Sequence, residues 1–333
     1  MTALAHDIDQ RRIPLSPPAV PPVVQPIRPL WSIMIPVYNC AKYLPETLLS
    51  VLLECKDRPE VQIEVVDDAS TDADIESMVA ALGHGRVSYY RQPMNVGSLR
   101  NFHACLLRAK GVYVHLLHGD DRVRSGFYMR MESFFAQHRS AGAAYCRYAY
   151  IDELGKTLFY HERELATEGL LPDFVSRLGE RQRIQYAAMV VKREVYEKLG
   201  GFYGVEYGED WEMWMRIASH YPIGYIPDVL ADYRKHQSSI SGRSILTGKN
   251  LIELRQVMDR IEPLLPEERR NEIKKSSRKF YAHYALRTAN QIWTGAKHRG
   301  GVKAQVKEAW AMHKDAALIF KILKLYTKIT LNI

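Results

Sequence analysis

From residue 31 onward, short apolar runs that end in acidic or amide residues alternate with stretches of helical spacing. No other feature limits the possible folds as tightly. Residues 31–36 (WSIMIP), 62–66 (QIEVV), 87–91, 112–117 (VYVHLL) and 143–151 read as strands. Between them, 42–55 carries apolar residues at Leu44, Leu48, Val51, Leu52 and Cys55, which is helical spacing. Helices are also expected over 73–82, 98–109 and 127–138. Strand–helix alternation of this kind favours a mostly parallel sheet covered on both faces, an α/β fold. The second half is less regular. Residues 185–191, 223–226 and 229–233 read as strands; 193–199, stopped by Gly200-Gly201, and 210–220 read as helices. Beyond residue 246 the pattern is almost wholly helical, over 250–261, 267–293, 302–313 and 316–330.

This reading divides the chain into 1–29, 30–245 and 246–333. Residues 13–29 (IPLSPPAVPPVVQPIRP) hold too many prolines for a helix or an inner strand, so an extended or disordered tail is expected there. The net charge of +8 is uneven. Residues 249–333 hold 18 Lys+Arg against 8 Asp+Glu, while the rest of the chain is slightly acidic. The basic excess suggests a docking surface for something anionic rather than a basic catalytic centre. Nucleic acid is not the expected partner, since the region shows no recognised motif and little interleaving of aromatic with basic residues. The four cysteines form no CxxC pair. Together with the absence of an apolar leader around Asp7, Asp9, Arg11 and Arg12, this favours a reduced, cytoplasmic setting. No apolar run reaches the ~18 residues that span a bilayer.

In open α/β sheets, ligands sit beyond the C-terminal ends of the strands. Four polar clusters fall at such places: Pro36-Val37-Tyr38-Asn39, Asp67-Asp68, Asp120-Asp121 and Glu209-Asp210. Each has a plain structural reading. Asp120-Asp121 could simply end a strand in an Asx-turn, Asp67-Asp68 could cap the next helix, and Glu209-Asp210 could favour a helix N-terminus. Each also has a chemical one. Asp120-Asp121 can hold Mg²⁺ or Mn²⁺ through hard oxygen ligands, with positions left for a diphosphate. A carboxylate of the Asp67-Asp68 pair can accept an imide N–H from uracil or thymine. A carboxylate of the Glu209-Asp210 pair can take a proton from an attacking hydroxyl. A dinucleotide-binding dehydrogenase is excluded, because the first strand–helix turn has no GxGxxG.

Taken in order, SIMIPVYN (32–39), IEVVDDASTD (63–72), NVGSLRN (95–101), GVYVHLLHGDD (111–121), GGF…GEDWEMWMR (200–216) and DYRKHQSSIS (232–241) resemble the family 2 inverting glycosyltransferases. The resemblance implies a GT-A fold and an enzyme that moves a sugar from a UDP- or dTDP-sugar to a glycan or lipid-linked acceptor; the Gln/Arg-x-x-Arg-Trp signature of processive synthases is absent, so a non-processive enzyme is expected. It implies that Pro36, Tyr38 and Asn39 wall the nucleotide pocket and that Asp68 meets the base. Asn95, Gly97 and Arg100 would lie near the ribose and diphosphate. Asp120 would face the donor sugar or ribose, and Asp121 and His236 would ligate Mn²⁺ or Mg²⁺, with Arg234 helping to neutralise the diphosphate. Asp210 would be the catalytic base with Glu209 beside it, and Trp211 would contact the acceptor. One departure stands out: where the family often has a further carboxylate, this chain has Gly119. A catalytically weak nucleotide-sugar-binding or scaffold protein of the same fold is the alternative. His118 and His115 are expected only to pack or to end the strand.

Residues 316–333 place Lys321, Lys324 and Lys328 on one helical face, with Leu318, Ile319, Ile322, Leu323, Tyr326 and Ile329 over much of the rest. Such a helix suits an anionic membrane interface at the inner face of the cell membrane. Packing on the chain itself, or on a second copy in a homodimer, is the alternative.

Overall fold

The computed structural model describes residues 12–236 and 240–333, apart from the side chains of residues 240, 241 and 243. It divides into two compact units. The first comprises the described residues up to Pro172, then Ile184–Glu206 and Arg216–Lys235; the second comprises Asp173–Arg183, Tyr207–Met215 and the described residues from His236 to Ile333.

The first unit is built on one sheet. In chain order its strands are β1 (Trp31–Val37), β2 (Gln62–Asp67), β3 (Ser88–Arg91), β4 (Tyr113–Leu116), β5 (Arg122–Val123), β6 (Ala143–Ile151), β7 (Thr157–Tyr160), β8 (Gly169–Leu170), β9 (Met189–Lys192) and β10 (Ile223–Arg234). The main path runs β3-β2-β1-β4-β9-β6-β10-β5, with β7 on β6 and β8 on β10. Strands β3, β2, β1 and β4 are parallel, whereas β9 runs antiparallel to both neighbours. Helices α1 (Leu44–Glu54), α2 (Ile75–Gly83), α3 (Ser98–Arg108), α4 (Phe127–Gln137) and α6 (Arg193–Leu199) follow their strands, as the alternation predicts. Every residue of β1 is buried, which explains why it reads as a continuous apolar run.

The chain moves outward from β1 to β2 and β3, then returns to place β4 on the other side of β1. The order therefore reverses between β1 and β4, and a crevice beyond their C-terminal ends is the expected ligand position in such a sheet. The turns Val37–Cys40 and Leu117–Asp121 occupy that position.

Three local differences from the sequence reading have clear causes. Residues 223–226 and 229–233 form one strand, β10, whose register against β6 shifts twice around Pro227 and Val229. Proline cannot donate to the ladder and is accommodated at such irregularities. Residues 185–191 begin as a short 3-10 turn at Tyr186–Ala188 before β9. The described part of the proline-dense segment, from Arg12 on, is bonded to the rest of the first unit. Val20 is 2% exposed, Gly201 N–H donates to Pro18 O at 2.8 Å, and Gly204 N–H donates to Pro14 O at 2.9 Å. The fully desolvated Arg193 reaches Pro21 O, and Arg28 reaches Gly111 O. Residues 1–11 of the expected tail lie outside the described residues.

The second unit is helical. It contains α5 (Phe174–Glu180), the residues of α7 (Glu209–Ala218) up to Met215, α8 (Ile240–Thr247), α9 (Lys249–Ile261), α10 (Arg270–Ala296), α11 (Arg299–Met312) and α12 (Ala316–Leu331). The 27-residue α10 is its spine, burying Ile273, Ser277, Tyr281, Ala285 and Leu286. Its partner α5 lies within a stretch in which no element was expected, and the packing depends on a glycine. A Cβ at Gly179 would stand 2.5 Å from Leu265 Cδ2 and 3.0 Å from Ile273 Cγ2.

Candidate active site

Four turns of the first unit converge beyond the C-terminal ends of its parallel strands. They are held together by side chains that the sequence reading assigned to ligand binding. Asn39, with φ of 50°, receives Thr71 N–H on its Oδ1 at 2.8 Å, while its own N–H donates to Ser70 Oγ at 3.0 Å. Asn39 thereby ties the turn after β1 to the loop after β2. Asp68 is 2% exposed and accepts Val96 N–H at 2.7 Å and Gly97 N–H at 3.0 Å, one on each oxygen. Burial raises its carboxyl above the usual range, and those two amide bonds oppose the rise. Asn95 donates to Asp68 O at 3.3 Å and accepts from the guanidinium of Arg12. Gly97, with φ of 91°, sits against the Arg12 side chain. Tyr38 is 43% exposed and Arg100 is also exposed, so both can meet a ligand. Neighbouring Asp67 is committed to Ser70 N–H, Tyr89 Oη and Arg91.

The turn after β4 has a different character. Asp121 is 1% exposed; its Oδ1 accepts Arg234 N–H at 2.8 Å, and its carbonyl accepts Thr47 Oγ1 at 2.6 Å. Its Oδ2 is buried with no hydrogen-bond partner among the described residues, and so is Nε2 of His118. Ligand atoms of His118, Asp120 and Asp121 all lie within 4.8 Å of one another. Burial, followed by the charge of Asp120, pushes the Asp121 carboxyl well above the ordinary carboxylate range. Burial lowers His118, which favours its neutral imidazole. Orphaned buried polar atoms are expensive. Two carboxylates and a neutral imidazole that close together would be relieved by a divalent cation. The donor set suits Mn²⁺ or Mg²⁺, which accept oxygen with some nitrogen.

Sequence reasoning set His118 aside. It is aligned by its ring packing, stacked on Phe102 with centroids 5.0 Å apart and tilted against Tyr186 at 4.3 Å. Its position immediately before Gly119-Asp120-Asp121 was the signal that could have found it. The glycine has a steric cause: a Cβ at Gly119 would lie 2.8 Å from Cys40 Sγ and 2.9 Å from Val37 Cγ2. No carboxylate fits there while the turn packs this closely on the end of β1.

Arg234 does not take the role expected of it. Its side chain is 0% exposed. The guanidinium donates to Asp120 O at 2.8 Å, to the carbonyls of Asp152 and Glu153, and to Glu46 Oε2 at 2.7 Å. It fastens the acidic turn to α1 and to the loop after β6, and a fully buried guanidinium held this way is a clamp within the first unit rather than a group open to a diphosphate.

The second unit carries its own group. Asp210, half-buried in the first turn of α7, accepts its own helix's Trp211 N–H at 2.7 Å and the side-chain amide of Gln182. Burial pushes its carboxyl up to about 6, against the lowering effect of those two bonds. Glu209 is 8% exposed beside it. Trp211, expected to contact the acceptor, is 0% exposed; its indole N–H donates to Leu178 O at 2.7 Å and its ring meets Tyr281 at 5.3 Å. It is a packing residue, as is the equally buried Trp214. His236 is half-buried at the start of the second unit's C-terminal portion.

A profile of the family described as Glycosyl transferase family 2 matches residues 32–200. The chain belongs to that family. An uncharacterised Mycobacterium tuberculosis protein is 26% identical over 262 residues, covering 74% of this chain and 81% of that one. An uncharacterised glycosyltransferase of Mycoplasma pneumoniae is 32% identical over 120 residues, covering 35% of this chain and 40% of its relative. Among solved structures, S. aureus TarS in complex with UDP-GlcNAc aligns with a TM-score of 0.59 at 14% identity, covering 86% of this chain and 92% of that one. At that identity the likeness shows the fold, which is GT-A, as the motif order implied. This chain is a glycosyltransferase, and the described turns after β1, β2 and β4 lie inside the matched region.

Proposed function

We propose that this glycosyltransferase transfers a sugar from a UDP- or dTDP-sugar, with inversion, in a reaction that depends on Mn²⁺ or Mg²⁺. The observation that carries the reading is the acidic turn at the switch point, where Asp121 Oδ2 and His118 Nε2 lie buried and unpartnered. A divalent cation bound there would offset the negative charge that develops on the leaving diphosphate. Pro36 and Tyr38 would wall the nucleotide, and Asn95, Gly97 and Arg100 would line the ribose and diphosphate. Asp68 would meet the base through the lone pairs its two amide bonds leave over. Asp120 would face the sugar or ribose. His236 is retained as a further ligand in this reading. Asp210, with Glu209 beside it, would take the acceptor proton; a carboxyl held near 6 is a better base at neutral pH than an ordinary aspartate. One displacement then inverts the anomeric centre without a covalent nucleophile. The complex of TarS with UDP-GlcNAc supports the uridine donor.

The test is a thermal-shift screen of nucleotide sugars with and without Mn²⁺, followed by UDP release. Asp121→Asn and His118→Ala should each remove the Mn²⁺-dependent part of donor binding. Equal donor binding with and without metal in the unmodified protein would overturn the reading.

The acceptor end of the reaction is proposed to lie at an anionic membrane surface. No helix among the described residues is long and apolar enough to cross a membrane. Helix α12 buries Leu318 and Leu325, and its Lys321 and Lys328 reach His283 and Asn290 of α10. Phe320 and Leu323 remain 67% and 62% exposed, and Ile319 and Tyr326 42% each. An outward apolar stripe on a basic helix is the pattern of an interface-lying segment.

A further inference from the structure

The second unit contains a cleft that this function does not yet use. It has a volume of about 430 Å³ and is lined by Glu180, Arg181, Arg183, Ser276, Lys279, Phe280, His283 and Arg287. The residues from α10 follow a spacing of three and four, so they share one face of the helix. The residues from the other wall are two apart. Arg181 is extended, with φ of −166° and ψ of 153°, and an extended backbone turns alternate side chains to opposite sides.

The residue between the two arginines is Gln182, whose amide holds Asp210. Its backbone N–H donates to Tyr281 Oη at 3.1 Å, and Tyr281 packs on Trp211. Tyr281 in turn adjoins Phe280, which lines the cleft. Two adjacent pairs of residues thus have one member in the cleft and one beside Asp210. The cleft and the proposed base are two sides of one wall.

The charge in the cleft is lopsided. The lining holds Arg181, Arg183, Lys279 and Arg287 with one acid, Glu180; Arg183 Nε also donates to Arg177 O at 2.9 Å, and Lys279 is paired with Asp315 at 3.3 Å. The guanidinia of Arg181 and Arg287 lie 5.2 and 5.8 Å from the Phe280 ring centre, within cation–π range. The ring therefore positions two forked donors at one place. Guanidinium forks match phosphate oxygens in pairs, and this much positive charge suits a dianion or a diphosphate better than a single carboxylate.

We propose that this cleft binds a phosphate or diphosphate group of the acceptor, setting the acceptor against the wall that carries Asp210. The consequence for turnover rests on the reading of Asp210 as base; the binding itself does not. Titration calorimetry on the full chain, with glucose 1-phosphate, inorganic pyrophosphate and glucose as probes, measures it directly. Glucose 1-phosphate should bind and glucose should not, and raising salt should weaken binding. Arg287→Gln, at an exposed helix position, should reduce affinity for glucose 1-phosphate about tenfold, and Phe280→Leu several-fold, with unchanged melting temperature for Arg287→Gln. Unchanged affinity in both variants overturns the proposal. Pyrophosphate that binds as well as glucose 1-phosphate in the unmodified protein, with neither affected by Arg287→Gln, also overturns it. Normal turnover by an Asp210→Asn variant would sink the base assignment and leave the binding result standing.

Discussion

Replacing Gln182 with Leu removes the amide that donates to Asp210 while keeping a side chain of similar size. A hydrogen bond to a charged group is worth about 1.5–3 kcal/mol. At about 1.4 kcal/mol for each pKa unit, its loss should raise the Asp210 carboxyl by about one to two units. Starting from about 6, the carboxyl would then titrate between about 7 and 8. At pH 7 the ionised fraction would fall from about nine-tenths to between one-half and one-tenth. The assay is UDP release with water as acceptor, using the donor that stabilises the protein most, followed from pH 5 to pH 9.5. The unmodified enzyme should lose about tenfold in rate for each pH unit below 6. The Gln182→Leu variant should shift that limb upward, recover its rate above pH 8.5, and keep its donor KM. A merely structural role for Gln182 would lower the rate at all pH values alike. An unshifted limb in the variant, or no acidic limb near 6 in the unmodified enzyme, would refute the reasoning.

Asp210→Asn should abolish transfer but stabilise the fold above pH 6. The folded protein holds this proton more tightly than the unfolded chain, so stability falls as pH rises from about 4 to about 6 and stays lower above it; the cost is about 2–3 kcal/mol. Chemical denaturation at pH 8 should show the variant more stable, with the gap closing by pH 4. Trp211→Ala should destabilise by about 3–5 kcal/mol, because it empties a fully buried site and strands the Leu178 carbonyl. A folded variant of normal stability with a raised acceptor KM would restore the acceptor role. Phe320→Glu with Leu323→Glu, both at exposed positions, should abolish co-sedimentation with anionic vesicles and leave UDP release unchanged. Equal sedimentation of variant and unmodified protein would remove the membrane proposal.

The legible part of this chain was its first half, for a physical reason. β1, β2 and β4 are buried as continuous runs, their turns need Asn, Gly and Asp, and the intervening helices show plain periodicity. The acidic residues of the turn after β4 could be seen in the sequence as well, but not the histidine that the fold brings within 4.8 Å of them. A histidine at a strand end looks the same in sequence whether its ring nitrogen is paired or orphaned, and only packing against Phe102 and Tyr186 distinguishes them. Arg234 shows the converse. An arginine in a motif near a diphosphate invites a catalytic reading, yet its side chain is fully buried and bonded to four acceptors from three segments distant in sequence.

Residues 152–184 were the least readable, because their elements are short and depend on distant partners. Strand β8 is two residues on β10, and α5 is seven residues whose close approach depends on Gly179. Neither length is enough to produce a periodic signal. Yet this stretch supplies Leu178 to Trp211, Gln182 to Asp210, and two arginines to the cleft. The family's motifs mark where the donor is expected to be handled. The surroundings of the proposed base are set by a segment just outside those motifs, so under the proposal above the acceptor would change without disturbing the sheet. On that argument, relatives that keep the Asp120-Asp121 turn but replace Arg181, Arg183 and Arg287 should retain UDP release and lose affinity for phosphorylated acceptors. A graft of those three residues onto such a relative would test whether the cleft alone confers it.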